Sequence, residues 1–175
     1  MRGLLCGLVM MLASPAVALN LEEEFSNIDG GTHRLADWSG QPILVVNTAS
    51  LCGFTRQYDA LQALHDRYSD RGLVVLAVPS NNFAQELEDE AAVKEFCEVN
   101  YNLTLPMTGI THVKGPNAHP FYKSLAEQGF EPNWNFNKVL IGPDGALVAT
   151  YRSQVRPTSR RITDEIERLL DRSDS

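Results

Sequence analysis

Two cysteines outside the first few residues are placed where they could do chemistry. Cys52 stands in "ILVVNTASLCGFTRQY", after an apolar run and just before a stretch with helical spacing. Cys97 stands in "AAVKEFCEVNY". Three residues after Cys52, where a dithiol exchange motif would carry its second sulfur, the chain has Thr55. A thiol at a helix N-terminus gains from free amides and the helix dipole, and a lowered pKa makes a reactive sulfur. A small buried hydrophobe is the commoner fate of a free cysteine, and position alone does not separate the two. If Cys52 is reactive, the missing partner argues against thiol–disulfide exchange. It suits attack on another target, such as a peroxide O–O bond, which leaves a sulfenic acid.

The elements that must hold this residue follow from the pattern of apolar residues. "PILVVNTAS" and "LVVLAVPS" are β-branched, apolar runs of buried strands. Between them Tyr58, Leu61, Leu64 and Tyr68 recur at helical spacing over Thr55 to Tyr68, and Gly72 closes the helix. Glu90 to Asn100 carries Ala92, Val93, Phe96 and Cys97 on one face, and Pro120 to Gln128 makes a short helix. "KVLIGPDGALVATYR" predicts a hairpin about Pro143-Asp144-Gly145. Arg160 to Asp171 closes the chain as an amphipathic helix. The lead-in from Leu19 to Gly31 contains a turn at Asp29-Gly30-Gly31. The order β-α-β-α, hairpin, helix implies an α/β domain, with a central mixed β-sheet flanked by helices and an N-terminal extension. This is the order of the thioredoxin-like fold. In such sheets chemistry gathers at the carboxyl ends of the strands, where Cys52 falls.

Composition narrows the function classes. The net charge of −7 and the absence of a Lys/Arg cluster exclude a nucleic-acid partner. Residues 1–18 combine Arg2, the apolar run Leu4 to Leu12, and Ala16-Val17-Ala18 as an A-x-A cleavage pattern. They predict a secretory signal peptide rather than a membrane span, and hence a periplasmic or secreted protein with no stable membrane insertion after cleavage. Cys6 lies inside that run and takes no part in the chemistry. Residues 19–175 then form a single domain. His33, His65, His112 and His119 lack metal-ligand spacing, so neither a metal nor another cofactor is expected. His119, just before Pro120, is expected in a loop or as a helix cap.

Several separated blocks carry a resemblance. "VVNTASLCGFTRQYDALQALHDRYSDRGLVVLAVPSNNF", "QE", "HPFYKSL" and "WNFNKVLIGPDG" occur in an order that resembles the glutathione peroxidases, over about Phe25 to Leu170. The resemblance implies a cysteine-type, non-selenium, phospholipid-hydroperoxide-like member that reduces hydrogen peroxide and organic or lipid hydroperoxides. Cys52 matches the family's reactive residue, Gln85 its glutamine, and Trp134 and Asn135 its tryptophan and asparagine. The amides and the indole N–H are uncharged donors that can hold a thiolate and polarise a peroxide oxygen. The loop departs from the family's N-Q-F-G-x-Q-E-P. Asn81-Asn82-Phe83-Ala84-Gln85-Glu86-Leu87 is one residue shorter and lacks the glycine and proline.

The resemblance also frames the reductive half. Glutathione or a thioredoxin-like protein is the expected co-substrate, and no arginine cluster near the blocks clearly grips glutathione carboxylates. Cys97 matches the helix that carries a resolving cysteine in many members, but one residue off register. A resolving thiol and a buried structural thiol both fit. The segment Ala126 to Asn133 is too short for the insertion of tetrameric members, which implies a monomer. The alternatives outside this reading are a thiol–disulfide oxidoreductase of the same fold and a peroxide-sensing redox partner.

Overall fold

The computed structural model describes residues 18–173. The signal-peptide expectation falls on residues outside that range, apart from Ala18. A short hairpin pairs β1 (Phe25–Ser26) with β2 (Thr32–His33). The central sheet contains β3 (Ile43–Thr48), β4 (Val74–Pro79), β5 (Lys138–Ile141) and β6 (Leu147–Tyr151), in the order β4-β3-β5-β6. β3 and β4 are parallel, whereas β3–β5 and β5–β6 are antiparallel. Among the described residues four α-helices accompany them: α1 (Gln57–Tyr68), α2 (Glu90–Tyr101), α3 (Pro120–Glu127) and α4 (Arg160–Ser173). This is the mixed, helix-flanked sheet expected of a thioredoxin-like fold.

Alternation along the strands sorts the core into two layers. Leu44 and Val46 of β3 join Val75 and Ala77 of β4 and Leu140 of β5 on one face. Leu61 and Leu64 of α1, Val93 and Cys97 of α2, and Ile162 and Ile166 of α4 pack there. Ile43 and Val45 join Leu76, Val78, Val139 and Ile141 on the other face, under Phe121 and Leu125 of α3. Each such side chain taken fully out of water contributes roughly 1.5–3 kcal/mol.

Helix ends follow their local chemistry. Asp89 caps α2 by accepting from the Ala92 amide at 2.8 Å. Pro120 occupies the first turn of α3, and His119 caps it through Nδ1, which accepts from the Phe121 amide at 3.2 Å. Two expectations are refined. The lead-in contains β1, which pairs across the turn with β2 just beyond it. α1 begins at Gln57, so the turns at Cys52 to Arg56 separate the thiol from the helix proper.

The topology decides where a site can form. β3 and β4 run in parallel and end on the same edge of the sheet. β5 is antiparallel to β3 with Val46 opposite Lys138, so the segment entering β5 arrives at that edge. The Cys52 turn, the 81–87 loop and the Trp134-Asn135-Phe136 turn therefore converge there from distant parts of the chain.

Candidate active site

Cys52 is free and buried, with 4% of its surface exposed. Its Sγ accepts from the Phe54 amide at 3.5 Å. The turn is built by Thr55 N–H donating to the Cys52 carbonyl at 3.1 Å, and by Tyr58 N–H donating to Thr55 at 2.9 Å. The donor facing the sulfur is thus an amide of this turn, not one of the first amides of α1 as the sequence pattern suggested.

The 81–87 loop docks on the Cys52 turn. Leu51 N–H donates to the Gln85 carbonyl at 2.8 Å. Glu86 Oε1 accepts from Ser50 N–H at 3.0 Å and from Leu87 N–H at 2.9 Å. Burial raises the Glu86 carboxyl above its ordinary range, and the two amides oppose that rise. Glu86 opens an acidic run, Glu86 to Glu90, that reads by composition as a solvated helix start. It is instead 94% buried and fastens the loop to the thiol turn, because it follows Gln85 inward rather than joining α2.

The third segment is held at the end of β3. Asn47 Nδ2 donates to the Trp134 carbonyl at 3.0 Å, and Asn47 Oδ1 accepts from Asn137 N–H at 3.1 Å. Phe136 N–H donates to the Asn47 carbonyl at 2.5 Å. Phe136 has φ of 60°, a costly conformation for a bulky residue, and its ring packs edge-on against Tyr58 at 5.2 Å. The result is that Asn135 is fully buried and its Nδ2 donates to Gln85 Oε1 at 3.0 Å. Its Oδ1 has no partner among the described residues. Trp134 is 40% exposed and lies against Phe83 at 5.4 Å between centroids.

Gln85 and Asn135 are thus brought into direct contact, and Gln85 is tied by its backbone to the residue before Cys52. Because Gln85 accepts from Asn135, its own amide N–H groups remain free to donate. Cys97 is fully buried in the same hydrophobic layer as Cys52, and the two are not disulfide-bonded. Burial pushes the Cys97 thiol up to about 12. Asn47, Glu86 and Lys138 were missed as site residues. For Asn47 and Lys138 the available signal was a polar or charged residue in an otherwise apolar, buried run, whereas Glu86 sits in an acidic stretch and offered none.

A mixed thioredoxin-type sheet with an unpaired thiol at the carboxyl end of its parallel strand defines a class of thiol-dependent oxidoreductases. Residues 21–126 match the family model described as glutathione peroxidase. The chain is 42% identical over 155 residues to the hydroperoxy fatty acid reductase gpx1 of Synechocystis sp., covering 82% of this chain and 90% of that protein. It is 39% identical over 151 residues to the glutathione peroxidase homolog BsaA of Bacillus subtilis, covering 82% of this chain and 93% of the relative. Among solved structures, Trgpx in apo form superposes with a TM-score of 0.69 at 29% identity, over 88% of this chain and 97% of that one. A thiol:disulfide interchange protein from Chlorobium tepidum superposes with a TM-score of 0.65 at 16% identity, over 90% of this chain and 99% of that one, a likeness of fold alone. The chain belongs to the glutathione peroxidase family. It is a thiol-dependent peroxidase, using a thiol reductant and a hydroperoxide.

Proposed function

We propose that Cys52 is the peroxidatic residue and that Gln85, Trp134 and Asn135 form the donor set around it. The Cys52 thiolate attacks one peroxide oxygen. An S–O bond forms, the O–O bond breaks, and the departing alkoxide or hydroxide takes up the proton that the thiol gave up. The products are a Cys52 sulfenic acid and an alcohol or water. Gln85 and Trp134 donate hydrogen bonds as charge moves from sulfur to oxygen, and Asn135 orients Gln85. What most supports this reading is the Asn135–Gln85 bond of 3.0 Å together with the Leu51–Gln85 backbone bond of 2.8 Å.

The substrates are hydrogen peroxide and organic or lipid hydroperoxides. The exposure of Trp134 supports access for a bulky chain, as does the name of the cyanobacterial relative, a hydroperoxy fatty acid reductase. Glutathione or a thioredoxin-like protein then reduces the sulfenic acid, releasing water and forming a mixed disulfide that a second thiol resolves. The external thiol is taken as the direct reductant. Cys97 remains protonated and shielded in the closed fold. The protein acts as a monomer after export and removal of residues 1–18, without a bound metal or cofactor.

The test is peroxide consumption by the full chain and by Cys52→Ser, with glutathione and with a thioredoxin system. Activity is expected to vanish in the variant. Full activity in Cys52→Ser refutes the assignment, and efficient insulin reduction by the wild type would favour an exchange enzyme instead.

A further inference from the structure

Lys138 is a fully buried ammonium group on β5. Its hydrogen-bond partners are all uncharged oxygens. Nζ donates to Gln57 Oε1 at 2.5 Å, to the Val155 carbonyl at 2.6 Å and to the Ser153 carbonyl at 3.4 Å. Gln57 is the first residue of α1, directly after the Cys52 turn. It also donates through Nε2 to the Ser153 carbonyl at 2.7 Å. Ser153 in turn donates through Oγ to the Asn135 carbonyl at 2.6 Å and accepts from Asn137 Nδ2 at 2.9 Å. Asn137 Nδ2 also donates to the Trp134 carbonyl at 3.0 Å.

The cation is therefore the point where three segments meet. One leads to the thiol, one carries Trp134 and Asn135, and one is the chain leaving β6. A cation without a buried counter-charge is costly to keep. A neutral side chain of similar shape would fill the space but could not bond several oxygens together. The Trp134–Asn135 segment also contains Phe136 in its positive-φ conformation, which persists only where the surroundings over-determine it.

We propose that Lys138 is a positioning residue for peroxide reduction, its ammonium locking the α1 entry that follows Cys52 to the Ser153 node that holds the Trp134–Asn135 turn. This rests on the peroxidatic reading of Cys52. It acts through Gln57 and Ser153 and touches neither the sulfur nor the donor set.

The test uses the full-length reduced protein carrying Trp38→Phe, so that Trp134 is its only tryptophan. Stopped-flow fluorescence gives the second-order rate with hydrogen peroxide, and dimedone labelling with peptide mapping locates the sulfenic acid. Lys138→Met is expected to slow the reaction by about tenfold or more, the factor that about 1.4 kcal/mol of lost transition-state stabilisation gives. It is expected still to yield sulfenic acid at Cys52, and to make Trp134 more accessible to acrylamide quenching. The double variant Gln57→Met/Lys138→Met is expected to lose less than the product of the two single losses, because the Lys138–Gln57 bond is common to both. A wild-type rate and quenching in Lys138→Met overturns the proposal, as do multiplicative losses in the double variant. Should Lys138→Met not fold, Gln57→Met alone carries the same expectation for rate and quenching. Sulfenic acid missing from Cys52 in the parent protein would instead overturn the peroxidatic reading itself.

Discussion

The buried ammonium of Lys138 has a thermodynamic signature that can be worked out before any assay. Burial pulls Lys138 down from 10.5 to about 7. Unfolding returns the amine to the ordinary lysine range. Between about pH 7 and 10.5 the unfolded chain thus binds one more proton than the folded chain, so stability rises with pH through that window. Below it both states are protonated and the contribution is flat. At about 1.4 kcal/mol per tenfold, the full window corresponds to roughly 5 kcal/mol. That figure is a ceiling, because the three oxygens around Nζ favour the charged amine and oppose the fall. Cys97 works the other way. Burial raises it from 9.0 to about 12, so its contribution is lost as pH climbs above 9.0. Comparison with Lys138→Met removes this opposing trend. Urea unfolding of both proteins from about pH 6 to pH 10 gives the difference profile. Wild-type stability relative to the variant is expected to climb by at least about 1.4 kcal/mol across that range. Parallel profiles would show that the amine is not held in a charge-hostile site, and the account of Lys138 would fail.

Three further outcomes follow from the geometry. Asn47→Leu leaves the Asn137 amide without its Oδ1 acceptor, so urea unfolding is expected to show a loss of about 1–3 kcal/mol, with slower peroxide reduction. An unchanged rate would mean that the Trp134–Asn135 turn holds itself. Ala84 has φ of 53° at an exposed position. Release of backbone strain in Ala84→Gly offsets the extra freedom of glycine when unfolded, so its thermal stability is expected to match or exceed that of the wild type, with a loss above about 1 kcal/mol contradicting this. Cys97→Ser is expected to keep its turnover with glutathione. Rapid formation of a Cys52–Cys97 disulfide, seen by non-reducing peptide mapping after one equivalent of peroxide, would show instead that Cys97 resolves the oxidised sulfur.

The legible parts of the fold were those whose apolar periodicity runs long enough to register. β3, β4, the β5–β6 hairpin and all four helices fall where alternation and helical spacing put them, within a few residues. The β1–β2 hairpin was illegible because its strands have two residues each, too short to show a period. Cys52 stood out by position, and Gln85, Trp134 and Asn135 through the resemblance of separated blocks. The residues that hold them did not. Asn47 and Lys138 sit in runs that read as buried strand, and Glu86 opens an acidic run that reads as solvated. Their roles arise from partners far along the chain, as with Gln57 and Lys138, 81 positions apart, and local patterning carries no record of such contacts.

The loop before Gln85 is one position shorter than the resembled pattern, yet its backbone is fastened to the Cys52 turn and its side chain to Asn135. Relative to the family pattern the loop has lost one position, and alanine stands where glycine is usual. The backbone still takes the left-handed turn at Ala84, at an intrinsic cost of about 1–2 kcal/mol for a residue with a Cβ. Contacts on both sides impose it. Ala84 N–H donates to the Asn81 carbonyl at 3.0 Å, Glu86 N–H donates to Asn81 Oδ1 at 3.2 Å, and Leu51 N–H fixes the Gln85 carbonyl. Phe136 repeats the arrangement on the opposite segment, held by Asn47 and Tyr58. Each strained residue is the chain neighbour of an amide side chain, Ala84 of Gln85 and Phe136 of Asn135. The two turns point those amides at each other from loops 50 residues apart in sequence. The strain is thus tied to the one contact on which the donor set depends. Relaxing the exposed Ala84 would free Gln85 without touching the hydrophobic core, whereas relaxing Phe136 would also pull its buried ring from Tyr58.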